Sequence, residues 1–172
     1  MTSARRVKPW AEQLWHNDEM SAHDLVIRNA SVVDGTGAPA RIADVAVSDG
    51  VITEVGPRLT GTGTREINAD GLTVTPGFVD IHTHFDGQAT WDPILAPSSI
   101  HGVTSIVMGN CGVGFAPARP TPEQHAWLIG MLEGVEDIPG TALAEGLAWD
   151  WETFPDYMNA LDRREYAIDV AT

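Results

Sequence analysis

The sequence has 172 residues, 43% of them hydrophobic, which is enough for one ordinary domain with a sizeable core. Its 10 basic and 24 acidic residues give a formal charge of −14, leaving no basic stripe to neutralise phosphates; nucleic acid and anionic membrane surfaces are not expected partners. No apolar run approaches the ~20 residues that span a bilayer, no apolar signal core follows Arg5, Arg6 and Lys8, and the single cysteine, Cys111, forbids an internal disulfide, so a cytoplasmic protein is expected.

Residues 1–22 are polar, with Trp10 and Trp15 but no clear period, and read as an N-terminal extension. Met20 stands just before the first patterned segment and is a candidate start of translation. Residues 23–75 read as a small β-domain. Segments 25–29 and 31–34 are apolar and β-branched, and Gly35-Thr36-Gly37 breaks the run. Segment 42–48 alternates, Asp49-Gly50 is a two-residue hairpin signal, and 51–55 returns. Segments 64–69 and 72–75 flank a second turn at Asp70-Gly71. Short strands at this spacing suggest a small β-sandwich or an open β-domain.

At Pro76-Gly77 the character changes, and residues 76–172 read as α/β. Segment 78–82 is a short apolar strand of the kind buried on both faces of a parallel sheet. Residues 91–101 are expected to be a helix stopped by Gly102. A second buried strand covers 103–108, followed by a Gly-rich loop around Cys111. A helix is expected over 122–132, with Thr121 as N-cap and Pro122 at the first helical position. Another helix is expected over 151–161 and a third strand over 166–170. Strand, helix, strand, helix, strand is the opening of a (β/α) architecture. A complete (β/α)₈ TIM barrel needs roughly 250 residues. Three strands before Thr172 therefore point to the N-terminal part of a longer protein rather than a complete small domain.

His82 and His84 are two apart at the C-terminal end of the first barrel strand, so both side chains share a face where barrel active sites form. Two converging imidazoles suit a divalent transition metal. Cys111 lies in the loop after the next strand, where a thiolate is a strong metal ligand and a buried hydrophobic role is the ordinary alternative. Asp80 shares the His82 face, and Asp86 follows the pair. Each is a candidate for orienting a ligand or shaping the site mouth, with a structural role equally open. Asp137 could face the same region. His16, His23, His101 and His125 read as exposed or capping residues.

Pro76-Gly77-Phe78-Val79-Asp80-Ile81-His82-Thr83-His84 resembles the first barrel strand of the amidohydrolase superfamily. Gly109-Asn110-Cys111-Gly112, together with the segments 130–139 and 149–151, resembles its D-aminoacylase (N-acyl-D-amino-acid deacylase) branch. The likeness covers nearly everything from His23 to Thr172. It implies a TIM barrel preceded by a small β-sandwich built from both ends of the chain. It also implies a zinc centre of one or two ions held by His82, His84 and Cys111, the cysteine standing in place of the carboxylated lysine of many relatives. The only lysine here is Lys8.

The branch uses two further histidines and a late aspartate as general base. None of these has a counterpart in the 172 residues, so no catalytic residue is assigned and the isolated chain is expected to be inactive. The implied reaction is hydrolysis of an N-acyl-D-amino acid, a small-molecule substrate, to a carboxylate and a D-amino acid. The alternatives are a cyclic-amide hydrolase of the dihydroorotase or hydantoinase kind, or a truncated scaffold without activity.

Overall fold

The computed structural model describes residues 22–172. The candidate start at Met20, and the expected extension apart from Ala22, lie outside the described residues. The chain divides into two compact units, one ending at Pro76 and one spanning Gly77–Thr172.

The first unit is a single mixed sheet rather than two packed sheets. Its strands are β1 (His23–Val32), β2 (Arg41–Ser48), β3 (Val51–Gly56), β4 (Gly63–Asn68) and β5 (Thr73–Val74). The order is β3-β2-β1-β4, with β2 antiparallel to β1 and β3, and with β4 and β5 both parallel to β1. Asp49 and Gly50 both take positive φ, 51° and 73°, as a tight hairpin between right-twisted strands requires.

The two short strands expected before Gly35 are one strand with a bulge. Asn29 sits at φ 57°, and the register slips between Ile27 and Ala30. The slip moves Ala30 from the face of Val26 to the face of Ile27. Val26 thus packs with Ala46 and Leu59, while Ala30 packs with Val32, Ala43, Val45 and Ala69. Asp44 stabilises the bulge. Its carboxylate accepts the Asn29 N–H at 2.9 Å, the Leu59 N–H at 3.0 Å and the Arg28 guanidinium at 3.2 Å. Burial opposes ionisation of Asp44, but these donors outweigh it and hold the carboxyl below its usual range.

The second unit contains a parallel three-stranded sheet, β6 (Phe78–Thr83), β7 (Val103–Met108) and β8 (Asp169–Ala171), in that order. Its helices are α1 (Pro122–Glu136), α2 (Gly140–Gly146) and α3 (Phe154–Asp162). The Thr121 side chain caps α1, with Pro122 in the first turn. Thr153 and Asp156 form a reciprocal capping box on α3. The core joins Phe85, Leu95, Ile106, Met108 and Phe115 to Leu128, Leu132, Leu143, Trp151 and Tyr157. No described helix is long and apolar enough to cross a membrane.

Three expectations change here. Residues 91–101 are not a helix; two short 3₁₀ turns, Gln88–Thr90 and Ser99–His101, flank an irregular segment. Pro93 and Pro97 lack the N–H groups a helix would use, and Leu95 adopts φ 53°. Gly102 still ends the segment in the left-handed region. The strand expected over 166–170 is the shorter β8. Finally, β6 is not buried on both faces: Phe78, Val79 and Ile81 are each more than 60% exposed, at 61%, 62% and 65%. It pairs with β7 on one side only, at the edge of the sheet.

Candidate metal centre

The site forms where β6 and β7 end on the same side of a parallel sheet. Thr83 faces the opposite way from its two neighbours and is buried, its hydroxyl donating to the Val107 carbonyl at 3.1 Å. That bond locks the end of β6 to β7, and period two then presents His82 and His84 together. Their ring centroids are 5.4 Å apart with planes tilted by 49°. Asp80 acts on the backbone, its carboxylate accepting the His82 N–H at 3.2 Å.

Cys111 reaches the pair from the loop after β7. Gly109 and Gly112 take φ 70° and 86°, and the Gly112 N–H donates to the Gly109 carbonyl at 3.0 Å. This turn needs glycine at both ends, because a side chain is strained at positive φ. The Asn110 amide donates to the Ile81 carbonyl at 2.8 Å and the Gly109 N–H to Asp86 Oδ2 at 3.3 Å, so the loop is tied back to β6 and to the segment after His84. Cys111 Sγ lies 3.9 Å from His84 Nδ1. One ligand atom from each of His82, His84 and Cys111 falls within 4.8 Å of the others. Donors bound to one tetrahedral zinc ion at about 2.0–2.3 Å sit roughly 3.3–3.8 Å apart. Small side-chain rotations therefore close this set around an ion, and the chemistry of two imidazoles and a thiol fits zinc.

Two buried carboxylates lie behind the three candidate donors. Asp86 is 2% exposed, and burial pushes its carboxyl up in spite of the Gly109 N–H. Its backbone carbonyl accepts the Tyr157 hydroxyl at 2.7 Å. Glu136, the last residue of α1, has a side chain only 1% exposed. Burial first, and then the Asp86 charge, push its carboxyl up to about 7. Its Oε2 accepts the Gly87 N–H at 3.4 Å, whereas Oε1 has no hydrogen-bond partner and lies 3.9 Å from His84 Nδ1.

Glu136 is the residue that reading the sequence missed. Attention falls on Asp137, which instead takes φ 54° and ends α1. A signal for Glu136 does exist: Leu128, Leu132 and Glu136 are spaced by four and are the buried residues of α1, so the carboxylate continues the apolar face. The other histidines do not reach the site. His23 pairs with Ser48 at 3.1 Å in the first unit, His125 stacks on Trp149 with centroids 3.9 Å apart, and His101 is exposed in a 3₁₀ turn. His16 lies outside the described residues.

Residues 65–171 match the profile described as "Amidohydrolase family". The chain is 34% identical over 155 residues to N-acyl-D-aspartate deacylase of Alcaligenes xylosoxydans xylosoxydans, covering 90% of this chain and 28% of that protein. A shorter likeness, 48% identical over 75 residues, relates 42% of this chain to 16% of an allantoinase of Rubrobacter xylanophilus. Among solved structures, an N-acyl-D-glutamate deacylase from Bordetella bronchiseptica, complexed with zinc and a phosphonate inhibitor that mimics the tetrahedral intermediate, superposes with a TM-score of 0.66. It is 34% identical, and the match covers 86% of this chain and 28% of that one. The chain thus spans under a third of the length of these deacylases.

Proposed function

The chain belongs to the amidohydrolase family, and on that premise we propose that it supplies His82, His84 and Cys111 to the zinc centre of an enzyme that hydrolyses N-acyl-D-amino acids. The observation that carries this reading is the convergence of three soft or borderline donors within 4.8 Å at the carboxyl ends of two adjacent parallel strands. The likeness to N-acyl-D-aspartate and N-acyl-D-glutamate deacylases supports the substrate class. On this reading residues 76–172, with β6, β7 and β8, are the N-terminal part of a (β/α)₈ barrel, and residues 23–75 are its accompanying β-domain.

The chemistry follows from the residues present. A divalent ion held by these residues would supply Lewis acidity for polarising an amide carbonyl and acidifying water. His82 and His84 would hold such an ion through imidazole nitrogens and Cys111 through its sulfur. Asp80 fixes the backbone at His82, and Asn110 fixes the Cys111 loop, so side-chain-to-backbone hydrogen bonds hold the segments that carry the donors. Asp86 and Glu136 are buried, Asp86 at the wall of a cavity that Asn110 and Tyr157 also line.

Zinc content of the purified chain tests the site. About one zinc per chain, lost in His82→Ala and Cys111→Ala, is expected; equal zinc in all three overturns it. The substrate class is tested in the protein that carries this chain. N-acetyl-D-glutamate, N-acetyl-D-aspartate and N-acetyl-D-methionine are assayed beside allantoin and a hydantoin. The allantoinase likeness favours the cyclic amides as the second reading; turnover of those alone would replace the deacylase reading with it.

A further inference from the structure

The buried Glu136 has a geometry that burial alone does not explain. One carboxylate oxygen takes the Gly87 N–H, and the other has no partner and faces His84. An unpaired polar atom that is itself shielded from water is unfavourable, and the imidazole of His84 offers a donor in reach. Among the described carboxylates it is Glu136, not Asp86, that lies within 4 Å of a His84 ring nitrogen.

We propose that Glu136 is a positioning residue for His84: its Oε1 accepts a hydrogen bond from the imidazole Nδ1–H, holds the ring in place and leaves Nε2 as the metal donor. This inference rests on the metal-centre reading and adds a residue to it. A shift of about 1 Å from the present 3.9 Å makes the hydrogen bond. The short reach required is supplied by the end of α1, which is anchored to the core through Leu128 and Leu132 on the same face. A carboxylate behind an imidazole fixes its tautomer and raises its basicity toward the ion. The arrangement also separates the two groups that lie 3.9 Å from Nδ1: Glu136 accepts the Nδ1–H, and Cys111 is left to the ion.

The first measurement is the His84 tautomer in the metal-free chain above pH 8, by long-range ¹H–¹⁵N NMR. It requires no substitution at Glu136. The Nδ1–H form is expected; the Nε2–H form overturns the proposal. The second is cobalt affinity by titration of the visible absorption. Glu136→Leu is expected to weaken binding about 10- to 100-fold, and Glu136→Gln, which keeps an acceptor oxygen, to weaken it less. Unchanged affinity in Glu136→Leu overturns the proposal, as does equal weakening in both variants. His82→Ala and Cys111→Ala are run alongside. If they weaken cobalt binding and Glu136→Leu does not, only the positioning role fails. If they too leave it unchanged, the metal centre itself fails and the positioning role falls with it.

Discussion

The Tyr157 hydroxyl donates to the Asp86 backbone carbonyl across 2.7 Å, and both residues are buried. This bond ties α3 to the chain two residues beyond His84, so a helix late in the sequence fixes a ligand early in it. Burial raises the phenol above its usual range, which keeps it protonated as a donor. Tyr157→Phe leaves the carbonyl without that donor. A loss of about 1–3 kcal/mol in urea unfolding is expected. Cobalt affinity should fall less than in His84→Ala; an equal fall would place Tyr157 among the ligand supports rather than the frame.

Cys111 should announce itself in the spectrum. With cobalt bound, the wild-type chain is expected to show a thiolate charge-transfer band in the near ultraviolet. Cys111→Ser should abolish the band and weaken binding, since an alcohol does not deprotonate as a thiol does. A band of unchanged intensity in Cys111→Ser would remove the cysteine from the ligand set.

Gly77 is a steric requirement of the β6–β7 pairing. A Cβ at this position would lie 2.1 Å from Thr104 Oγ1 and 2.6 Å from Thr104 Cβ, so no rotamer of Thr104 relieves the clash. Gly77→Ala is expected to destabilise the fold by about 1–3 kcal/mol in denaturant unfolding. Addition of Thr104→Gly should recover part of that loss, and a Gly77→Ala chain as stable as wild type would contradict this geometry.

Asp44 makes the first unit sensitive to acid. Its folded-state carboxyl lies below the unfolded value near 3.8. The stability it contributes is therefore fully present above that value and is lost as pH falls through the lower folded one. Asp44→Asn should cost about 1–3 kcal/mol at neutral pH and flatten this part of the acid dependence. Urea midpoints measured from neutral to acidic pH check both statements. An unchanged acid slope in Asp44→Asn would assign it to other carboxylates.

Local chemistry accounts for what could be read from the sequence. Asp49-Gly50 and Thr121-Pro122 are legible because a turn or a cap depends on the residues that form it. His82 and His84 are legible as a pair because strand period alone places them together. Asn29 misleads because a bulge resembles a break until its partner Asp44, 15 residues away, is seen to hold it. The helix expected over 91–101 fails because Pro93 and Pro97 cannot donate the backbone hydrogen bonds it needs. Glu136 escapes notice because its importance lies in contact with His84, 52 positions earlier, which helical spacing hints at without specifying. The match to a family profile adds the chemical class, while the ligand set rests on the geometry of the three side chains.

The exposed Phe78, Val79 and Ile81 have a practical consequence. Among the described strands β6 pairs on one side only, and its other backbone edge, with apolar side chains on both faces, is a template for pairing with a second copy. The purified chain should therefore self-associate as its concentration rises. Light scattering across a dilution series would reveal this, and a lysine in place of Val79 should suppress it. Metal titrations belong at the dilute end of that series, where each site is counted on a separate molecule.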